Sequence, residues 1–372
     1  MIGAFTFAGH GGRAVFGVGS IAQIAEEVQM LGARRVLILT SPSHRDVAGR
    51  VAADLGELFA GVCHDAAMHV PVETAMETRQ LAIRLQADCC VTIGGGSAIG
   101  LGKAVALALR VPIVAVPTSY AGSEMTSIYG ITEDGKKVTG RDPHVRPKSV
   151  VYDPALTLSL PPSLSAASGM NAIAHCVEAL YAMDGNPIVS LMAEEGISAL
   201  ALSLPRIIED PSDVDARSEA LYGAWLAGHA LEATTMGLHH KICHVLGGAF
   251  GLPHAELHAI VLPHVARYNS KAAPQGMARV ARALKAGDAP SALYHMLGRL
   301  RLPSALKQIG MPRSGVQQAA EEVCATPYRN PKVVEYESVK AMLERAYEGV
   351  EPRPVGAAVS GRARACANSP NS

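Results

Sequence analysis

Residues 87–97 read ADCCVTIGGGS, a short apolar run that ends in three glycines and a serine. An apolar run without polar alternation reads as a strand buried on both faces, which is the habit of a parallel sheet covered by helices. The glycines then read as a turn into a helix that starts at Ala98 or Ile99. Working outward, 35–40 (RVLILT) and 111–116 (VPIVAV) repeat the strand signal, and Ser149–Tyr152 (SVVY) gives a later strand. Helical periodicity fills the intervals at 21–30, 47–59, 74–86 and 98–109. Strand, turn and helix in succession predict a doubly wound α/β domain over residues 1–160.

The pattern changes after Asp153. Helical periodicity opens near Ser165 and recurs at 188–208, 216–234, 236–248, 256–267, 273–285 and 289–297, with no β-branched run of comparable strength. A helical domain is therefore expected over 161–350. Residues 351–372 are rich in Pro, Gly, Ala, Arg and Ser, lack periodicity and are expected to be disordered.

Composition excludes several classes. Lys plus Arg and Asp plus Glu are equal at 33 each, so no net field collects a nucleic-acid backbone. No apolar stretch is long enough to suggest a membrane span, and the N-terminus does not read as a signal peptide. Seven cysteines, an odd number without a CxxC pair, suit reduced thiols and a cytoplasmic protein.

Gly94, Gly95, Gly96 and Ser97 suit a phosphate group, because glycines let backbone N–H groups approach and the helix points its positive end at the anion. The alternative is a tight turn with no ligand. The turn has neither the GxGxxG pattern nor a Lys-Ser/Thr ending, which argues against a P-loop. One strand later, Thr118, Ser119 and Ser123 offer hydroxyls at a strand end, where ligands of open α/β sheets gather. The segment after 35–40 holds Ser41 and Arg45 with no acid before Asp46. No carboxylate is placed there to repel a 2′-phosphate, so either NADH or NADPH is expected as cofactor.

The second chemical feature is histidine. Asn171 and His175 lie four apart on an expected helix, His240 and His244 repeat that spacing, and His254 follows. Such imidazoles can surround a divalent metal or a substrate, and metal sites commonly add a carboxylate. Position 171 supplies a neutral amide instead. Lys241 and Arg141 are cationic donors suited to a substrate with two carboxylates. His239 and His258 enrich the same region.

In this order, GGGS, PTSYAGSE, LPPSLSAASGMNAIAHCVEAL and LHHKICHVLGGAFGLPHAELHAIVLPH resemble the iron-containing alcohol dehydrogenase superfamily. SGMNAIAH together with LYGAWLAG and LHHKICHVLGG is similar to its maleylacetate reductase family. The resemblance implies a dehydroquinate synthase-like fold, a homodimer, and reduction of 2-maleylacetate to 3-oxoadipate with NADH or NADPH in aromatic catabolism. It implies catalytic roles for His175, His240, His244 and His254, with Asn171, Lys241 and Arg141 at the substrate. The superfamily's Asp and three His metal ligands fall on Asn171, His175, His240 and His254, so the resemblance implies no metal. Ser41 falls where the superfamily carries an NAD-selecting acid. The competing readings are a metal-dependent alcohol dehydrogenase, a dehydroquinate-synthase-like lyase and a non-enzymatic nucleotide-binding sensor.

Overall fold

In the computed structural model, residues 12–133 and 136–353 are described, together with Phe5 and Phe7. Eight strands fall among the described residues up to 152: β1 (Arg13–Phe16), β2 (Val36–Thr40), β3 (Phe59–Cys63), β4 (Cys89–Gly94), β5 (Ile113–Pro117), β6 (Ile128–Glu133), β7 (Lys136–Arg141) and β8 (Ser149–Tyr152). Six of them form one parallel sheet in the order β1-β8-β5-β4-β2-β3. The helices α1 (Ile24–Met30), α2 (Arg45–Leu55), α3 (Val72–Arg84) and α4 (Gly96–Leu109) alternate with these strands. Strands β2, β4 and β5 are buried at every residue, which is why their sequences run apolar without alternation.

The two outer strands were illegible in the sequence. Strand β3 begins at Phe59, the last residue of the helix expected over 47–59; the helix stops at Leu55, where Gly56 breaks it with φ 53°. As an edge strand β3 is only partly buried, so it lacks the apolar run that marks the central strands. Strand β1 is exposed at three of its four residues, for the same reason. The antiparallel pair β6–β7 stands apart from the main sheet.

Nine helices follow among the described residues, beginning with α5 (Pro162–Ala179), α6 (Pro187–Glu209), α7 (Val214–Ala233), α8 (Leu238–Phe250) and α9 (His254–Asn269). After them come α10 (Pro274–Ala283), α11 (Ala289–Arg299), α12 (Gly315–Cys324) and α13 (Tyr336–Glu348), the last two unmarked in the sequence reading. Helix α5 is the axis of this half, buried at every residue from Ser165 to Ala179 and packed on α6, α7 and α9. A helix apolar all round belongs inside a core, and the few polar groups it carries need partners there or a ligand. Helix α6 is, among the described residues, the one helix long and apolar enough to cross a membrane, yet it packs against α5 and α7. Of the tail expected to be disordered, 351–372, residues 351–353 are described and held by Arg345 and Arg267, which donate to the Glu351 and Pro352 carbonyls, while 354–372 lie outside the described residues.

Candidate active site

Parallel strands bring the first group together at their carboxyl ends. Thr40 pairs with Ile93 and Gly94 with Pro117, so Ser41, Gly95 and Thr118 follow at neighbouring strand ends. Gly94 has φ 147°, a conformation that L side chains rarely adopt, and a Cβ there would meet that of Ala98 at 2.9 Å. A Cβ on Gly95 would meet Ser119 Oγ at 2.8 Å, while Gly96 faces open space. No side chain caps α4, so its leading N–H groups are available to an anion beside Ser97. Ser41 Oγ lies 2.8 Å from Ser43 Oγ and 3.1 Å from His44 Nδ1; hydroxyls and an imidazole stand there instead of a carboxylate.

The loop after β5 is held from behind. Lys103, on α4, is fully buried, and its ammonium donates to the carbonyls of Ser123 (2.6 Å) and Ile128 (2.7 Å) and to Thr126 Oγ1 (2.9 Å). Burial lowers this ammonium to about 7, against the opposing pull of Glu124. The loop also touches the helical half: the Tyr120 N–H donates to Ser168 Oγ at 3.0 Å, one turn before Asn171 on α5. Gly122 presses against Gly228 of α7, where a Cβ would come within 3.2 Å of backbone.

The imidazoles gather where α5, α8 and α9 meet. His175 stacks on His240 with centroids 5.2 Å apart; His240 lies 6.2 Å from His244 and 5.0 Å from His258, and His254 lies 4.4 Å from His258. His175 and His240 are buried, whereas His244 and His254 stand at the exposed rim. Asn171 Oδ1, His175 Nδ1 and His240 Nε2 are buried without hydrogen-bond partners among the described residues. Burial, reinforced by neighbouring imidazoles, holds His175 and His258 well below the ordinary histidine range and His239 down to about 3, so these rings are neutral.

Glu178, absent from the sequence reading, organises the group. Its carboxylate accepts His240 Nδ1 at 2.6 Å and the N–H groups of Gly237 (3.1 Å), His239 (3.0 Å) and His240 (3.3 Å). The acid thus caps α8 from α5, a helix away. Burial alone would push this carboxyl up, but the bonds and charge of His240 and the His239 N–H hold it down to about 2. The signal was available in the sequence: Glu178 lies three residues after His175 on an otherwise apolar helix.

Arg141 and Lys241 fare differently. The Arg141 guanidinium donates to the Glu232 carbonyl and Oε2, both at 3.1 Å, at the end of α7. The donor offered to a substrate carboxylate is thus already bound to a protein carboxylate. Lys241 is half-buried on α8, one residue after His240.

The expectation of no metal is corrected by the structure. His239, Cys243 and His258, all buried, bring one donor atom each within 4.8 Å of one another. Two imidazoles and a thiol are the donor types that hold zinc or iron. His239 Nε2 now lies 3.0 Å from His258 Nδ1, and Cys243 Sγ 3.8 Å from His239 Nε2. Burial, then the charge of Glu178, keeps the Cys243 thiol protonated, so an ion there would have to displace its proton. His239 and His258 stand out in the sequence as extra imidazoles, whereas Cys243, one helical turn after His239, completes the set only when α8 and α9 pack.

Two family descriptions cover nearly the whole of this architecture. "Iron-containing alcohol dehydrogenase" matches residues 11–154, and "Fe-containing alcohol dehydrogenase family, C-terminal" matches 165–347. The chain belongs to the iron-containing alcohol dehydrogenase family. It is 52% identical to maleylacetate reductase of Burkholderia cepacia over 94% of this chain and 99% of that one. The crystal structure of maleylacetate reductase from Agrobacterium tumefaciens superposes with TM-score 0.92 at 45% identity, covering 94% of this chain and 100% of that one. The enzyme from Rhizobium sp. strain MTP-10005 gives 0.91 at 46%, covering 94% and 99%. Within the family the chain falls with the maleylacetate reductases, as a nicotinamide-dependent oxidoreductase acting on a small organic substrate.

Proposed function

We propose that this chain reduces the carbon–carbon double bond of 2-maleylacetate with NADH or NADPH, giving 3-oxoadipate in aromatic catabolism. Its likeness to maleylacetate reductases over nearly the full length of both chains carries the reading. In this scheme the nucleotide pyrophosphate lies on Gly94, Gly95, Gly96 and Ser97, with Ser41 toward the adenosine and Thr118, Ser119 and Ser123 toward the nicotinamide. The contact of Tyr120 with Ser168 supports it, because it joins the nucleotide loop to the helix that carries Asn171 and His175.

Maleylacetate is an enone with two carboxylates. Hydride addition to the carbon β to its ketone throws negative charge onto the ketone oxygen, and donors aimed at that oxygen lower the barrier. His175, His240, His244 and His254 supply those donors and the proton that completes the α carbon. Glu178 fixes His240 through Nδ1 and leaves Nε2 toward the cluster, which favours His240 over His244 as proton donor, the ring giving up the Nε2 proton of its imidazolium form while Nδ1 keeps its own bond to Glu178. Asn171 and Lys241 bind the substrate. Arg141 serves it only by exchanging Glu232 for a substrate carboxylate. His239, Cys243 and His258 would hold a divalent ion, which supplies Lewis-acid polarisation of a carbonyl when bound.

A homodimer fits the open edge strand β1, where Phe16 is exposed and Val18 follows it on the surface. A reducing cytoplasm suits the free thiols among the described residues. Loss of absorbance from NADH or NADPH on adding fresh maleylacetate tests the activity; a chain that oxidises simple alcohols and leaves maleylacetate untouched would refute it.

A further inference from the structure

A cavity opens at the far end of α9. It measures about 480 Å³, within the range of sites for small organic ligands. Its wall carries Arg267, Lys271, Lys332, Arg345 and Arg353, and no Asp or Glu. Two of these cations are already matched, Arg267 by Asp288 and Arg353 by Glu351. Lys271, Lys332 and Arg345 form no salt bridge among the described residues. Lys271, Lys332 and Arg345, three of the five cations round this hollow, thus lack an offsetting carboxylate among the described residues and repel one another until an anion enters, although Arg345 also donates to the Glu351 carbonyl at 2.6 Å.

The floor is polar as well. His264 is 2% exposed, lines the cavity, and has both ring nitrogens without a hydrogen-bond partner among the described residues. A buried imidazole left so costs free energy that a ligand's oxygen can recover. Burial, with Arg345 adding to it, lowers His264 to about 4, so it is neutral and offers one N–H and one lone pair. Tyr268 and Met342 give the wall an apolar side, and Lys332 Nζ sits 3.9 Å from the Tyr268 ring centroid. His264 lies ten residues beyond His254, about 15 Å along the helix, so the cavity is separate from the histidine cluster.

The geometry points to a second binding site, formed by His264, Lys271, Lys332 and Arg345, for a small organic dianion whose carbon frame lies on Met342 and Tyr268. Residues 354–372 suit it poorly, since they contain Arg362 and Arg364 and no Asp or Glu. Carboxylate and phosphate ligands share the required chemistry, and the measurement separates them.

Calorimetric titration of the full-length chain with adipate, and separately with inorganic phosphate, tests the site. The comparison is with a Lys332→Ala/Arg345→Ala variant, and Lys271→Ala provides a second, independent substitution. At low salt, the wild type binds one more anion per chain than the double variant, whose affinity for it falls about tenfold or more. Adipate alone showing the difference identifies a dicarboxylate; phosphate alone, a phosphate-bearing ligand. The kcat and KM for maleylacetate stay unchanged, because no substituted residue belongs to the histidine cluster, and Lys271→Ala, which leaves the Arg345–Glu351 and Lys332–Tyr268 contacts intact, also keeps the melting temperature. Identical isotherms for wild type and both variants, with either anion, would overturn the site.

Discussion

Glu178 Oε2 lies 2.6 Å from His240 Nδ1, and the same carboxylate accepts three backbone N–H groups at the start of the helix that carries His240. One buried acid therefore sets both the position of α8 and the orientation of an imidazole. In Glu178→Gln the packing is kept, but an amide N–H meets a crowd of donors. Turnover should fall about 10–100-fold, the usual cost of losing such a supporting carboxylate, with a smaller change in KM. Steady-state kinetics on the variant decide the matter, with Glu178→Asp expected to recover part of the loss. Equal loss in both variants, with a lowered melting temperature, would leave Glu178 a purely structural role.

Acid lability follows from the buried imidazoles. His239 is held at about 3 and His264 at about 4, both below the ordinary 6.5. Between those limits the unfolded chain binds protons that the folded chain refuses, so stability falls as pH drops from about 6.5 toward 4. Glu178, depressed from 4.5 to about 2, adds stability that is present above 4.5 and is lost as pH falls toward 2. Urea midpoints at pH 7.5 and 5 should differ, with the lower pH less stable. A midpoint that is flat over this interval contradicts the neutral, buried assignment.

The contact between the nucleotide turn and its neighbouring loop can be tested by a pair of substitutions. Gly95→Ala drives a Cβ to 2.8 Å from Ser119 Oγ and should raise the KM for NADH about tenfold or more. Adding Ser119→Ala removes the obstructing oxygen and should recover part of that loss, a coupling expected only of groups in contact. Additive losses would mean that the two positions act separately.

Cofactor choice should respond to Ser41. Ser41→Asp restores a carboxylate beside the adenosine end, where it repels a 2′-phosphate and accepts from a 2′-hydroxyl. The kcat/KM ratio of NADPH to NADH should drop about tenfold or more. An unchanged ratio would move the adenosine away from β2.

The donor set of His239, Cys243 and His258 predicts that cobalt added to the chain gives a thiolate charge-transfer band. Cys243→Ser should abolish the band and reduce bound metal measured by elemental analysis. A wild-type spectrum without that band would show that the hydrogen bond between His239 and His258 is the group's resting chemistry.

Much of this was written locally in the chain. The run 87–97 announces a buried strand, a turn and a helix because each is dictated by neighbours in sequence, and the helices after Ser165 keep their 3.6-residue rhythm. The edge strands β1 and β3 were not legible, since a half-exposed strand has no continuous apolar run to display. Glu178 and Cys243 escaped for a different reason. Glu178 meets its partners on α8, and Cys243 pairs with His239 of its own helix but needs His258 of α9 to complete the group, so the chemistry arises only when α5, α8 and α9 pack together. Arg141 was visible as a cation, but its pairing with Glu232 depends on α7 ending beside β7.

The most direct test is the oxidation of NADH and NADPH by freshly prepared maleylacetate, with wild type and His240→Ala in parallel. Consumption of one nucleotide per molecule of maleylacetate, with 3-oxoadipate formed and turnover strongly reduced in the variant, is the expected result. No nucleotide consumed by the wild type, or full turnover in His240→Ala, would contradict the account.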